Sequence, residues 1–320
     1  MIDLVPYNPS MSQEWDALVE RARNGHFLFQ RGYMDYHADR FHDASYLARE
    51  KGKWVAVVPG HLKGESAWTT HGGLTYGGLV LAPELSTPDV IEIFRGLNRA
   101  LVSRGIDTVH YKPIPWFHHR SPSEEDLYLL FRQGAVLESR SLSTVIPTRP
   151  PRDTQRLRRR KIRSAKEGGV LCRVSDDLEN FWPLIENRLG GKYGLKPVHS
   201  LAEMRLLVSR FPQDIRFYGA YRGDDLLAGC VVYHSGRVFH LQYLHATDEG
   251  RELGAPDLLV DWMVDGPAQP HEWLSFGHSC EHDGQFLNAN LLFFKEGFGG
   301  RAVVLDEWRY DPRNDPFADA

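Results

Sequence analysis

The residue types best suited to chemistry in this chain gather in its second half. His199 stands in Lys196-Pro197-Val198-His199-Ser200, and an imidazole there would exchange protons near neutrality. Ser200, with Glu203 three residues on, reads as a capping box, which leaves His199 just outside a helix. Lys295 closes an amphipathic stretch that runs into glycine, Leu291-Leu292-Phe293-Phe294-Lys295-Glu296-Gly297-Phe298-Gly299. A cation there suits the negative end of a helix and equally suits an oxyanion or a phosphate. His278, Cys280 and His282 alternate, so in an extended chain all three would face one way, as metal ligands do. A fourth ligand at zinc spacing is missing, and no His–carboxylate pairing supports Cys280 as a nucleophile, so neither metal nor thiol chemistry is expected. The densest positive run is Arg156-Leu157-Arg158-Arg159-Arg160-Lys161-Ile162-Arg163. It reads as a solvated helix face packed through Leu157 and Ile162, or as a clamp for phosphates.

Composition narrows the setting. The chain has 320 residues, 42% hydrophobic and 25% charged, enough for two ordinary globular domains. A net charge of −4 gives no overall pull toward nucleic acid or membrane, so any electrostatic site must be local. The opening Met1-Ile2-Asp3-Leu4-Val5-Pro6 lacks the basic start and apolar core of a signal peptide, and no apolar run is long enough to span a bilayer. Cys172, Cys230 and Cys280 are too few and too scattered for a disulfide framework. A cytoplasmic protein is expected.

The elements that must position these residues occur twice. Strands at 44–49 and 54–59 flank the turn Lys51-Gly52-Lys53, and a strand at 66–70 leads into His71-Gly72-Gly73-Leu74-Thr75-Tyr76-Gly77-Gly78. A helix at 89–104 follows, with Val90, Ile93, Phe94, Leu97 and Leu101 on one face, then a strand at 108–111. A helix ending in Leu129-Leu130-Phe131-Arg132-Gln133-Gly134 and a strand at 135–146 close the first half. The second half repeats the order: strands at 215–221, 226–234 and 237–247, a helix at 256–264, a strand at 273–277, a helix at 285–296 and a strand at 301–309. Matching turn glycines and helix ends are offset by similar distances, which favours duplication. Thr148-Arg149-Pro150-Pro151-Arg152 is the candidate linker.

Strand–turn–strand–strand–helix–strand–helix–strand resembles the core of the GNAT acyltransferases. Two such cores in tandem resemble the FemAB-like group, which transfers acyl or aminoacyl groups to amines. The segments that carry the resemblance are Tyr33-Met34-Asp35-Tyr36-His37, Gly73-Leu74-Thr75-Tyr76-Gly77-Gly78, Lys192-Tyr193-Gly194-Leu195-Lys196-Pro197-Val198-His199-Ser200 and Lys295-Glu296-Gly297-Phe298-Gly299. The implied fold class is α/β (α+β), with tandem GNAT-like folds over 1–148 and 149–320. Each would be a mixed, mainly antiparallel sheet flanked by helices.

The resemblance also assigns roles. Between the third and fourth strands of such a core lies an acyl thioester, probed here by Tyr243 and Leu244 on the third strand. The following turn, Arg/Gln-x-x-Gly-x-Gly/Ala in the family, is Arg251-Glu252-Leu253-Gly254-Ala255-Pro256, and would hold the pyrophosphate of acyl-CoA. Pro256 departs from that pattern and removes one N–H, and Glu252 adds a negative charge. Amide formation needs a base, an oxyanion partner and an acid for the leaving group. Glu281 and His199 are the base candidates, Lys295 the cation, and Tyr243 the acid. Asn288 lies seven residues before Lys295, about 10 Å along one helix face whose core side is Leu287, Leu291, Phe294 and Phe298. Tyr33, Asp35, Tyr36, His71, Lys192, Tyr193 and Asn288 are implied substrate contacts, with the Gly-rich segment lining a cleft between cores. The acceptor would be an amine, on a small molecule or a cell-envelope precursor. Aminoacyl-tRNA, gripped by residues 156–163, is the alternative donor, and a non-catalytic binding protein the third reading.

Overall fold

The computed structural model describes residues 2–149, 152–193 and 196–317, with the side chains of Lys192 and Tyr193 outside that set. The chain divides into two compact units, Met1–Ser141 with Val304–Ala320, and Leu142–Val303. The tail from Val304 counts with the first unit, whereas the repeat pattern by itself divides the chain at 148/149.

In the first unit, the strands Ile2–Pro6, Tyr46–Glu50, Lys53–Val58 and Val80–Leu81 form an antiparallel sheet. The tight turn between Tyr46–Glu50 and Lys53–Val58 places Lys51 and Gly52 at positive φ. The helix Thr87–Ser103 forms where the periodicity predicts it. Val90, Ile93, Phe94, Leu97 and Leu101 are fully buried, and Ser86 with Asp89 closes a capping box. A second run of strands pairs Gly60–Lys63, Ala67–Thr70 and Thr108–Tyr111 in that order, the last two in parallel.

The second unit orders its strands as Val136–Pro147, Trp273–His278, Val238–Ala246, Asp225–Ser235, Ile215–Arg222 and Leu171–Ser175. Every neighbour is antiparallel except Val238–Ala246 with Trp273–His278. Each unit therefore carries one parallel pair in a mainly antiparallel arrangement, as the repeat implied. Alternation along Ile215–Arg222 explains the two covered faces. Tyr218 and Ala220 join Cys230, Val232, Leu259, Val260 and Met263 in a core beneath the helix Ala255–Asp265. Phe217 faces the other way, against Phe181 of the helix Leu178–Tyr193 with ring centroids 4.9 Å apart.

Two local expectations change. The C-terminal helix is Ala289–Glu296, not 285–296, because Phe286–Leu287 pairs with Cys280–Glu281 as a short hairpin. Its glycine stop also shifts: Gly134 takes a positive φ in the first copy, but Gly297 stays right-handed and Gly299 takes φ +85°. No helix among the described residues is long and apolar enough to cross a membrane. The helix Leu201–Arg210 starts as read: Ser200 N donates to Glu203 Oε2 at 2.7 Å and Ser200 Oγ accepts from Glu203 N at 3.2 Å. Ser200→Ala should therefore lower stability by about 1 kcal/mol in urea denaturation, with the slope unchanged.

Candidate active site

The chemistry-bearing residues of the second unit surround the place where its parallel strands separate. Pairing covers only Val238↔Trp273, Phe239↔Leu274 and His240↔Ser275, although both strands continue. A bulge against Val136–Pro147 then skips Phe276 and Gly277, and Gly277 adopts φ +70°. The carbonyls of Gly277 and His278 face away from the parallel ladder at this point. Lys295 binds both: its Nζ donates to Gly277 O at 2.8 Å and to His278 O at 2.7 Å.

Lys295 is thus no surface lysine; it is 3% exposed. Burial pushes its ammonium down to about 7, with the neighbouring Cys280 sulfur pulling the other way. His240 beside it is pushed to about 4, first by burial and then by Lys295, and its Nδ1 lies 3.1 Å from Ser275 Oγ. Lys295 and Asn288 do not share a helix face. Asn288 is the cap of the helix, accepting from Leu291 N at 3.1 Å, and its Nδ2 donates to Glu281 Oε1 at 2.9 Å. Leu287 and Leu291, expected in the core, are exposed. They lie on the hairpin side, while Lys295 and Phe298 face inward.

His199 and Tyr243 are brought together. His199 Nδ1 and Tyr243 Oη lie 2.7 Å apart, and both residues are buried. Tyr243 comes from the parting strand Val238–Ala246, and His199 from the residue before the Ser200 cap. The Trp182 ring meets Tyr243 edge-on at 5.5 Å, which fixes the phenol against the Leu178–Tyr193 helix. Burial raises the Tyr243 pKa, so the phenol stays protonated at neutral pH and can donate. Lys192 and Tyr193 end that same helix, and their side chains lie outside the described residues.

The His278–His282 segment is extended only as far as Glu281. His282 and Asp283 turn back at positive φ, and Cys280 is buried with Sγ accepting from Leu142 N at 3.2 Å. The alternating face that would gather three ligands does not form.

The turn proposed for a pyrophosphate is closed. Gly254, at φ +90°, joins the short helix Asp248–Leu253 to the helix Ala255–Asp265. Ala255, Pro256 and Asp257 are buried, and the Arg251 side chain turns back to Ala246 O and the Asp248 carboxylate. A Cβ on Gly254 would stand 2.5 Å from the main-chain oxygen of Lys161, in the basic helix Arg156–Glu167. The residues present do not offer the exposed main-chain donors that a coenzyme A pyrophosphate needs. Leu244, also expected along the donor, is half-buried against the core on the same side.

In the first unit, the two family-like segments meet. Tyr33 is buried with its ring 5.5 Å from Tyr36, and Asp35 pairs with the buried Arg31, which also holds Asp43 at 2.5 Å. His71 is buried, stacked on His37 at 5.3 Å and 5.7 Å from His61, and burial pushes it to about 3. Gly72 and Gly73 permit this: a Cβ on Gly73 would sit 1.9 Å from His37 Nε2. Sequence reasoning picked His71 but missed its partners His37 and His61, which no local spacing links. It also missed Asp257 and His240, single polar residues inside apolar stretches.

Lys295 gives a measurable signature. Between about pH 7 and 10.5 the unfolded chain holds more protons on this amine than the folded one, so folding stability should rise with pH across that window. Lys295→Met should remove that rise from the urea-denaturation profile; a variant that retains it would contradict the buried assignment.

Comparison with known proteins agrees with this architecture. Residues 152–282 match the family model of the acetyltransferase (GNAT) domain. No curated protein matches the sequence. Among solved structures, FemX is similar at 12% identity, covering 97% of each chain with a TM-score of 0.67. L-PGS from Bacillus licheniformis is similar at 12% identity, over 96% of this chain and 93% of that one, with a TM-score of 0.60. A conserved protein of unknown function from Bacteroides thetaiotaomicron is similar at 10% identity, over 97% and 99%, with a TM-score of 0.61. The fold is of the tandem GNAT-like kind, and the acetyltransferase (GNAT) domain match lies in the second half, which supports an acyltransferase.

Proposed function

We propose that the second unit transfers an acyl group from an activated donor to an acceptor amine by direct attack. The observation that carries this reading is the 2.7 Å contact between His199 and Tyr243 at the parting strands. In either tautomer the pair passes one proton between imidazole and phenol. The acceptor ammonium first gives one proton to solvent, and His199 takes a second from the same nitrogen as the free amine attacks the donor carbonyl. Tyr243 returns a proton to the leaving group as the tetrahedral intermediate collapses. Lys295 holds the carbonyls of Gly277 and His278, so its part is to keep the strand ends apart; Glu281 and Asn288 hold each other at the rim as acceptor contacts.

The acceptor is an amine of a small molecule or of a cell-envelope precursor. For the donor, acyl-CoA and aminoacyl-tRNA are the two readings. The second is favoured by one contrast: the 251–256 turn is largely buried, whereas Arg156, Arg159, Arg160 and Arg163 are exposed. Contact with RNA phosphates through those arginines should weaken steeply with salt.

Turnover with each donor and a panel of amines, followed by mass spectrometry, tests the proposal. Tyr243→Phe and His199→Ala should each lower kcat by about 100-fold or more with little change in KM. Wild-type turnover in both variants would refute the dyad.

A further inference from the structure

A helix start normally favours an anion, because its first N–H groups lack partners and the dipole is positive there. At the helix Ala255–Asp265 that anion belongs to the protein. Asp257 is 3% exposed, its carboxylate accepts from its own main-chain N–H, and its Oδ1 takes Arg158 Nη1 at 2.7 Å.

The basic helix is built to deliver Arg158 to that point. The Arg158 guanidinium lies 5.2 Å from the Phe294 ring centroid. Its stem passes Gly297 so closely that a Cβ there would be 2.9 Å from Arg158 Cγ. One turn on, Lys161 Nζ donates to Glu252 O at 2.8 Å and Arg251 O at 3.3 Å, satisfying the end of the Asp248–Leu253 helix. Ile162 and Ala165 bury the same face. A donor pyrophosphate at this turn would have to lift the helix and bring a second anion against a buried carboxylate, which the single Arg158 cannot balance.

We propose that Asp257 is a built-in substitute for the donor phosphate: its carboxylate fills the anion position at the helix start, Arg158 neutralises it, and the chain takes no coenzyme A at this turn. The consequence for the donor rests on the acyl-transfer reading above, while the closure itself is read by binding alone.

Thermal unfolding of the full chain tests it, with pyrophosphate or coenzyme A added and sodium chloride at matched ionic strength as control. Wild type should shift by less than about 1 °C with either ligand. Asp257→Ala should melt lower and regain about 3 °C or more with pyrophosphate, which would take the vacated place beside Arg158. The double variant with Arg158→Met should regain nothing. If Asp257→Ala does not fold, Asp257→Ser, which also vacates the carboxylate position, takes its place in the same comparison. Clear stabilisation of wild type by coenzyme A, abolished by Gly254→Glu, would overturn the proposal. So would a pyrophosphate response in the variants no larger than in wild type. Loss of transfer activity in the dyad variants leaves these shifts unchanged, so the two readings fail separately.

Discussion

The second unit depends on a buried amine at the end of a broken sheet. Two parallel strands that pair for three residues and then separate leave half-buried main-chain oxygens outside the parallel ladder. Unpaired carbonyls in such a place are costly. Lys295 satisfies two of them from the last turn of a helix, so the gap becomes a stable feature of the fold. The cost appears on the lysine itself, whose proton affinity falls by burial. Every other group at the site takes its place from that separation. Tyr243 lies on one parted strand, Gly277 and His278 on the other, and Glu281 on the hairpin that follows.

Periodicity and turn chemistry made most of the elements legible. The helix Thr87–Ser103 and the strand Thr108–Tyr111 follow from apolar spacing alone, and the Ser200 cap from one tetrapeptide. Residues that depend on distant partners were not legible in that way. His199 and Tyr243 were each selected for titration chemistry, but nothing local says that a histidine before a helix meets a strand 44 residues on. Lys295 stood open between a solvent-facing cation at a helix end and a partner for an oxyanion or phosphate, and neither reading placed it on main-chain carbonyls. Phe286 and Leu287 suit a helix face and a hairpin equally, and the strand Cys280–Glu281 decided between them.

The basic run illustrates how one helix can satisfy two readings. Arg158, Lys161, Ile162 and Ala165 turn inward, onto the helix start and the core, while Arg156, Arg159, Arg160 and Arg163 stay in solvent. A count of charges gives no phase, so composition could not separate the structural cations from the exposed ones. Only the spacing of Leu157 and Ile162 carried that information, and Leu157 is just half-buried.

The duplicated halves use the same helix–strand pair but fasten it at opposite ends. In the first unit, Asp126, in the first turn of the helix Glu125–Arg132, accepts from the phenol of Tyr111 at 3.0 Å. Tyr111 Oη in turn accepts from Leu79 N at 2.9 Å, and a Cβ on Gly78 would stand 2.5 Å from it, so ring and loop are locked together. In the second unit the fastening is Lys295, in the last turn of its helix. Burial draws both ionisable groups toward neutrality, Asp126 up to about 7 and Lys295 down to about 7. Each choice also suits the end of the helix it occupies, a carboxyl at the positive end and an amine at the negative end. The consequences for the strands differ. A phenol bound on both sides fills the space beside the first parallel pair. An amine bound to main-chain oxygen holds the second pair open, and Tyr243, paired with His199, lies further along one of its strands. Arg132, the sequence counterpart of Lys295, lies exposed against Tyr128 and has no part in the fastening. The repeat thus preserves the elements and exchanges the polar link, and the link decides which half is left with a gap for chemistry.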